Sequence, residues 1–310
     1  MDLEKFIDRD AEQELFDNLL KFEHDARLLT IRDKGGRGKS ALLERLEYKC
    51  LWRSKPRRPV SRVKLDQLGD PDPFILIRTL VKDLRNWGLH FPLFDAKDDA
   101  RIRRDFTPFA APVNPIEGKI NMQGANAGTG NIFAGVSNTV QIPNAQTVSV
   151  NVSPVAGWTS TDQEEKAREA CIAAFFADLK NAAAASPVVV LLDSWEKCHS
   201  KLRDWLITQF VETQCFAAEA RPAQFVVVLA GQEIPPFKDM LGEAEHTRLV
   251  HSVEALGAWE EKHVKAFLEL HGYKNFSDIE VTLLCEKLKT GWSLDQALET
   301  YKQFKSNDGG

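Results

Sequence analysis

Residues 33–40, with the sequence Asp-Lys-Gly-Gly-Arg-Gly-Lys-Ser, combine residue types that can hold a phosphate group. The glycines let backbone N–H groups curl around a phosphate, and a helix beginning here would add a favourable dipole. Lys39 would neutralise the β- and γ-phosphate oxygens, and the Ser40 hydroxyl would bind Mg²⁺. Asp33 stands where such loops usually begin with glycine. We therefore expect ATP or ADP to bind at Gly35, Gly36, Arg37, Gly38, Lys39, Ser40 and Ala41.

A phosphate loop of this kind needs an acidic partner at the end of another strand. The apolar run 188–192 predicts a buried strand, and Asp193 follows it directly. A carboxylate at the carboxyl end of a strand can hold the water shell of Mg²⁺. An alternative is that Asp193 caps the helix that follows. Because the phosphate loop and the strand that ends at Asp193 occur in the expected order, we favour Asp193 as a ligand of Mg²⁺, together with Ser40.

Hydrolysis also requires a group that polarises the attacking water. Ser194 follows Asp193, so the usual adjacent acidic pair is missing, and Glu196 is the nearest candidate base. An ordinary solvated glutamate at a helix start is the alternative. The chain contains no Asn-Lys-x-Asp motif, which disfavours a GTPase of the Ras type and favours adenine nucleotide. The predicted catalytic residues are thus Lys39, Asp193 and Glu196.

Alternating strand and helix patterns surround these residues and predict a parallel α/β sheet. Strand patterns cover residues 27–32, 62–66, 188–192, 225–229 and 247–253. Helical patterns cover residues 12–22, 41–51, 73–87, 162–184 and 201–215. Beyond residue 256 the pattern is helical only, over residues 259–270, 278–288 and 293–304. We expect a core over residues 1–87 and 162–255, with a helical lid over residues 256–310.

Residues 88–161 interrupt this alternation with little helical periodicity. No Asp, Glu, Lys, Arg or His occurs from 120 to 161, where apolar residues alternate with Asn-Gly-type turn residues. The alternation at 147–152 predicts a strand. The segment is either an ordered β-rich insertion, able to dock partners by strand addition, or a low-complexity loop.

Composition narrows the class of protein. The chain has 310 residues, of which 43% are hydrophobic and 27% charged, so it is globular rather than disordered. Its net charge of −5 makes nucleic acid an unexpected partner, although a local basic patch is compatible with it. Two basic runs, 52–58 and 101–104, could contact nucleic acid or the acidic face of a protein partner, and solvated surface is the commoner explanation for such runs.

Cysteine and histidine usage indicates neither disulfides nor a zinc site. The five cysteines are widely spaced without a Cys-x-x-Cys pair, which is typical of reduced thiols, and we expect a cytoplasmic location. The histidines show no metal-ligand spacing. No apolar run reaches the roughly 18 residues that span a bilayer, and the acidic start is unlike a signal peptide.

Five stretches, in this order, resemble motifs of one family, the STAND class of AAA-like P-loop ATPases with its NACHT and bacterial signalling branches. They are residues 6–10 (Phe-Ile-Asp-Arg-Asp), 33–43 (the phosphate loop), 191–196 (Leu-Leu-Asp-Ser-Trp-Glu), 228–233 (Val-Leu-Ala-Gly-Gln-Glu) and 290–294 (Thr-Gly-Trp-Ser-Leu). Asp8, Gln232 and Ser293 replace the family's glycine, sensor arginine and proline.

This resemblance implies a sheet of order 5-1-4-3-2 with nucleotide at the carboxyl ends of its strands. It also implies that Arg9 and Gln232 lie at the nucleotide and that ATP switches the protein between closed and open or oligomeric forms. The first hypothesis is a slow Mg²⁺-dependent ATPase in a signalling or antiviral-defence complex, with partners in trans encoded nearby and a possible homo-oligomer. The second is a non-hydrolysing adaptor that docks partners through residues 88–161. The third is a loader acting on nucleic-acid machinery.

Overall fold

The computed structural model describes residues 9–106 and 160–307, apart from residues 258, 271, 274–275 and 290–293. The chain divides into two compact units, Met1–Phe91 with Phe175–Gly310, and Pro92–Ala174. In the described part, no helix combines the length and the apolar character needed to cross a membrane.

The first unit is built on one sheet, whose described strands all pair in parallel. The strands are β1 (Leu28–Arg32), β2 (Val60–Lys64), β3 (Val188–Asp193), β4 (Phe225–Gly231) and β5 (Val250–Val253). They lie in the order β2-β3-β4-β1-β5. This confirms the predicted order 5-1-4-3-2 and the α/β fold of a P-loop NTPase.

Strands β3 and β4 are the fully enclosed part of the sheet. Every residue of β3 and β4 is buried, and both strands are nearly unbroken runs of Val and Leu. Such runs are typical of parallel strands covered by helices on both faces. The apolar face of the sheet packs with the first two helices into a single core that includes Phe16, Leu42 and Leu46.

The helices follow the predicted alternation, with shifted bounds. They are α1 (Asp10–Leu19), α2 (Lys39–Tyr48), α3 (Pro73–Arg85), α4 (Pro92–Phe106), α5 (Ser160–Ala185), α6 (Ser200–Trp205), α7 (Phe237–Leu241), α8 (Glu243–Leu249), α9 (Glu261–Leu270), α10 (Asp278–Lys289) and α11 (Leu294–Asn307). Two helices continue as π-helical turns, α2 over Lys49–Arg53 and α6 over Leu206–Phe216. The last predicted strand begins later than expected, because residues 247–249 end α8.

Helix α4 contradicts the expectation that residues 88–161 lack helical structure. Its sequence carries few apolar residues at helical spacing, so the hydrophobic pattern does not predict it. Ion pairs contribute instead: Arg101 Nε lies 3.0 Å from Asp98 Oδ1, one turn away, and Arg101 Nη1 lies 3.0 Å from Glu164 Oε1. The basic run 101–104 is therefore partly neutralised. The predicted strand at 147–152 lies outside the described residues.

Helices α9, α10 and α11 enclose a small apolar cluster of their own. The buried members are Trp259, Val264, Phe267, Leu268, Val281, Leu284, Cys285, Leu288, Ala297 and Tyr301. The three helices predicted beyond residue 256 are therefore present and pack together.

We predict that Leu191→Ala lowers the free energy of unfolding by about 2–5 kcal/mol, because the side chain is fully buried in a central strand. Ile279→Ala is the control, since Ile279 is 81% exposed and its truncation should change stability by less than about 0.5 kcal/mol. Urea denaturation followed by circular dichroism measures both. Equal losses in the two variants would contradict the central position of β3.

Candidate functional site

The phosphate loop occupies the turn between β1 and α2, as predicted. Gly36 and Gly38 have φ angles of 77° and 89°, a left-handed conformation that glycine adopts without strain. Among the described residues no side chain caps the start of α2, so its first N–H groups are open to an anion. Ser40 and Ala41 lie in the first turn of α2, where Ser40 is exposed.

Lys39 is a buried cation that reaches back across the loop. Its Nζ donates hydrogen bonds to the carbonyl oxygens of Asp33, at 2.6 Å, and of Lys34, at 2.8 Å. Burial lowers the pKa of Lys39, and the carboxylates of Glu196, Asp33 and Asp193 oppose that shift. Three carboxylates therefore lie close enough to the Lys39 ammonium to stabilise its charge.

Asp193 ends β3 and is only 2% exposed. Its Oδ2 is buried and has no hydrogen-bond partner among the residues that the structure describes. A carboxylate oxygen left in this way is costly unless a cation compensates it, and carboxylate oxygen is a preferred ligand of Mg²⁺. The donor set of Asp193 and Ser40 thus fits a magnesium ion.

The alternative role of Asp193 as a helix cap is wrong. The residue that caps α6 is His199, whose Nδ1 accepts a hydrogen bond from Lys201 N at 3.3 Å. The short 3₁₀ turn that follows β3, Trp195–Lys197, has no side-chain cap. The carboxylate of Asp193 is therefore not used to start a helix.

Glu196 lies in that 3₁₀ turn and is held by Gln232, which follows β4. The backbone N–H of Gln232 donates to Glu196 Oε2 at 2.8 Å, and its side-chain amide donates to Oε1 at 3.3 Å. Both carboxylate oxygens are thus engaged, so Glu196 is not simply a solvated side chain. The roles of Glu196 as base and of Gln232 at the nucleotide stay predictions.

Gly231 allows β4 to end directly against the turn that carries Glu196. A Cβ atom at this position would lie 2.8 Å from Trp195 Cβ, 2.7 Å from the carbonyl oxygen of Glu233 and 3.0 Å from Glu196 Oε2. The carbonyl oxygen of Gly231 also accepts a hydrogen bond from Asp33 N at 3.2 Å. One glycine therefore joins the phosphate loop to the Glu196 turn.

The sequence analysis did not identify Arg203, which fastens the same turn from α6. Its Nη2 donates to the carbonyl oxygens of Glu196, at 3.1 Å, and Cys198, at 3.2 Å, and its guanidinium lies 5.7 Å from the centre of the Trp195 ring. Ser194 begins the turn with a φ of 63°, a strained conformation for a residue with a Cβ. No motif spacing marks Arg203, because its hydrogen bonds are to backbone carbonyl oxygens.

Asp33 has a structural role that explains its place at the first loop position. Its Oδ1 accepts a hydrogen bond from Lys34 N at 2.6 Å, and its Oδ2 accepts one from Leu256 N at 2.9 Å. Arg37 extends the connection, since its Nη1 donates to the carbonyl oxygen of Leu288 in α10 at 3.5 Å. The loop is thereby tied to the helices at the carboxyl end of the chain.

Arg9 is almost completely buried beside this connection. Its Nη1 donates to the carbonyl oxygen of Gly257 at 3.0 Å, and its Nη2 donates to that of Arg37 at 3.5 Å. The guanidinium also lies 5.8 Å from the centre of the Trp259 ring. The structure thus places Arg9 at the phosphate loop, while its contact with nucleotide stays a prediction. The motif positions 6–8 and 290–293 lie outside the described residues.

Within the described ranges, no group of three or more His, Cys, Asp or Glu side chains is arranged to bind a metal ion. The candidate ligands for a cation at this site are the Asp193 carboxylate and the Ser40 hydroxyl, together with phosphate oxygens. This is the ligand set that magnesium adopts with nucleotide phosphates.

Comparisons with protein-family models and with curated protein sequences found no match. Solved structures that are similar include Drosophila ORC bound to DNA, with 13% identity and a TM-score of 0.42, covering 91% of this chain and 51% of that one. The Aeropyrum pernix ORC1 protein in complex with DNA has 12% identity and a TM-score of 0.44, covering 94% and 58%. The Aeropyrum pernix ORC2 protein in ADPNP–ADP complexes has 11% identity and a TM-score of 0.45, covering 97% and 64%. The chain thus spans between half and two thirds of the length of these proteins.

We predict that Gly231→Ala destabilises the protein by about 1–3 kcal/mol, because backbone and Cβ atoms must move to admit the methyl group. The matched control is Gly257→Ala, where the added Cβ would meet only Arg9 Nη1, at 3.7 Å. Thermal unfolding followed by circular dichroism compares the two. Similar unfolding temperatures for both variants would contradict the close approach described above.

Proposed function

We propose that this chain is an ATP-binding switch that hydrolyses ATP slowly with Mg²⁺. The observation that carries the proposal is the unpartnered carboxylate oxygen of Asp193, buried at the end of β3 and within electrostatic range of Lys39. A buried acid, a buried lysine and a glycine loop at one edge of a parallel sheet are the parts that phosphoryl-transfer sites require.

Each residue has a distinct task in this mechanism. The loop N–H groups and Lys39 bind and orient the phosphates, and Ser40 with Asp193 would hold the magnesium ion. Magnesium, when bound, neutralises charge that develops on the phosphate oxygens. Glu196 is the base that orients the attacking water and accepts its proton.

Slow turnover is expected from the contacts of Glu196. Both of its oxygens accept hydrogen bonds from Gln232, and a base occupied in this way must be released before it can take a proton. Gln232 also lies beside the loop, because its Nε2 is 3.5 Å from the position of a Cβ on Gly35. A phosphate bound at the loop would compete with Glu196 for that amide, which makes Gln232 a candidate sensor of nucleotide.

The switch itself would be the group of helices α9–α11. Asp33, Arg9 and Arg37 connect the phosphate loop to residues 256, 257 and 288, so a change at the loop reaches these helices directly. Membership of the STAND class, a role in a signalling or antiviral-defence complex and partners in trans are parts of this proposal that rest on the sequence resemblance. A homo-oligomeric form and the loader function stay predictions from the sequence.

A non-hydrolysing adaptor is the second candidate function. The same Glu196–Gln232 contact favours it, because a permanently engaged Glu196 would leave the nucleotide bound and intact. Docking through residues 88–161 then supplies the partner contact. Rates of hydrolysis separate this candidate from the first.

We predict that Lys39→Ala weakens binding of a fluorescent ATP analogue by about 10- to 100-fold, because the variant loses charge-assisted hydrogen bonds to the phosphates. Lys34→Ala is the matched control, since Lys34 is exposed in the same loop and contributes its backbone carbonyl to Lys39. Fluorescence titration with Mg²⁺ measures both. Unchanged affinity in Lys39→Ala would exclude this loop as the nucleotide site.

We predict that Gln232→Ala raises the rate of phosphate release several-fold, because one oxygen of Glu196 is freed while the backbone N–H contact remains. Glu196→Gln should abolish hydrolysis and leave binding of the ATP analogue intact. A steady-state phosphate-release assay measures both variants. A slower rate in Gln232→Ala would show that Gln232 supports the reaction, and no release from any form would favour the adaptor.

A further inference from the structure

A compact basic loop lies where the strands of the sheet begin, whereas the phosphate loop lies where they end. Residues 52–58, called the Trp52 loop here, begin with the last two residues of the π-helical end of α2 and lead towards the start of β2. Because all strands are parallel, a segment that precedes β2 lies at the amino ends of the strands, whereas the phosphate loop follows the carboxyl end of β1. The cations of the Trp52 loop are Arg53, Lys55, Arg57 and Arg58.

These four cations are not neutralised by the protein. In the part of the chain that the structure describes, none of their side chains forms an ion pair or a hydrogen bond. Nearby acids are engaged elsewhere: Arg62 binds Glu44 and Glu47, at 3.2 and 2.8 Å, and Lys49 binds Asp17 at 2.6 Å. Four positive charges therefore lie within six residues without a described acidic partner, and Arg53, Lys55 and Arg57 among them are exposed.

The same loop exposes a large aromatic ring. Trp52 is 57% exposed and is the only exposed Trp, Tyr or Phe side chain among those described. The Arg57 guanidinium lies 4.8 Å from the centre of its ring, a cation–π contact that holds both groups together. An indole left in water in this way is a common anchor for a binding partner.

Hydrogen bonds at its base give the loop a defined shape. The carbonyl oxygen of Lys49 accepts hydrogen bonds from the Ser54 backbone N–H, at 3.0 Å, and from the Ser54 hydroxyl, at 3.1 Å. Arg58 N donates to the carbonyl oxygen of Cys50 at 3.0 Å, and the Cys50 side chain is fully buried. The charged and aromatic groups are thus presented on a closed loop, which reduces the entropy lost on binding.

We propose that the Trp52 loop binds single-stranded nucleic acid. A base stacks on Trp52, and the four cations contact the neighbouring phosphates. An acidic peptide needs only the cations, whereas single-stranded nucleic acid uses both the cations and the exposed indole, and a duplex hides the faces of its bases. Salt screens the interaction between charges that are more than about 10 Å apart. A bound strand therefore responds to the positive charge of the Trp52 loop rather than to the net charge of −5, which made nucleic acid an unexpected partner.

The proposal does not depend on the nucleotide site. The Trp52 loop and the phosphate loop lie at opposite ends of the strands, so nucleic-acid binding at the Trp52 loop can be measured in the absence of ATP. Loss of ATP binding in the Lys39→Ala variant would leave the result at the Trp52 loop unchanged. Failure of one proposal is therefore distinguishable from failure of the other.

The experiment measures fluorescence anisotropy of a fluorescein-labelled single-stranded oligothymidylate, about 20 nucleotides long, in about 50 mM NaCl, a salt level that keeps phosphate contacts strong. Trp52→Ala should weaken binding by about 10-fold, and Trp52→Phe should restore most of it, because a ring remains for stacking. Replacing all four loop cations with Gln should reduce the slope of log affinity against log salt by about 3, at about 0.7 per phosphate contact. The control replaces four exposed lysines elsewhere, Lys21, Lys82, Lys201 and Lys238, with Gln.

Three outcomes would overturn the proposal. The first is equal weakening in the loop variant and the lysine control, which would indicate attraction to the whole surface. The second is unchanged affinity in Trp52→Ala, which would exclude stacking. The third is tighter binding of poly-glutamate than of the oligonucleotide, which would indicate an acidic protein partner. Because Trp52 is exposed, each variant should keep the unfolding temperature of the wild type, and circular dichroism checks this.

Discussion

The parallel pairing of β1, β3 and β4 is the constraint on which the candidate site depends. It brings the carboxyl ends of strands that are far apart in the sequence to one edge, with Arg32 beside Gly231 in the register. The Val- and Leu-rich strands make this pairing stable, because both faces of the sheet are buried. Residues that follow these strands therefore lie close together in space, although no local sequence pattern links them.

Three carboxylates surround Lys39, and their partners differ. Asp33 accepts hydrogen bonds from two backbone N–H groups and serves the structure of the loop. Glu196 is restrained by Gln232. Of these three, Asp193 is the one with a buried oxygen that has no donor within the described part of the chain. The three carboxylates thus differ in what they contact. Asp33 shapes the loop, Glu196 is bound by Gln232, and Asp193 has an oxygen available to a cation.

The sequence predicts the parts of this arrangement that are encoded locally. The glycine loop and the apolar strand before Asp193 follow from residue types and hydrophobic periodicity, whereas the order of the sheet follows from the family resemblance, and the structure has all three. Helix α4 is not predicted, because it is charged and its ion pairs are invisible to a hydrophobic pattern. Arg203 and the bond from Asp33 to Leu256 are not predicted either, since they join backbone atoms to side chains that are close only after folding. The roles assigned to the site residues stay predictions.

The helix that begins at Lys39 also ends at the Trp52 loop. At about 1.5 Å per residue, α2 and its π-helical turns form a rod about 20 Å long, with the phosphate loop at one end and the exposed indole at the other. A helix of this length is stiff, so an axial shift or rotation at its first turn moves its last turn as well. The π-helical turns, where the hydrogen bonds change from the i→i+4 to the i→i+5 pattern, lie at the far end. A displacement of the first turn of α2 would therefore be passed along one continuous helix to the residues beside Trp52.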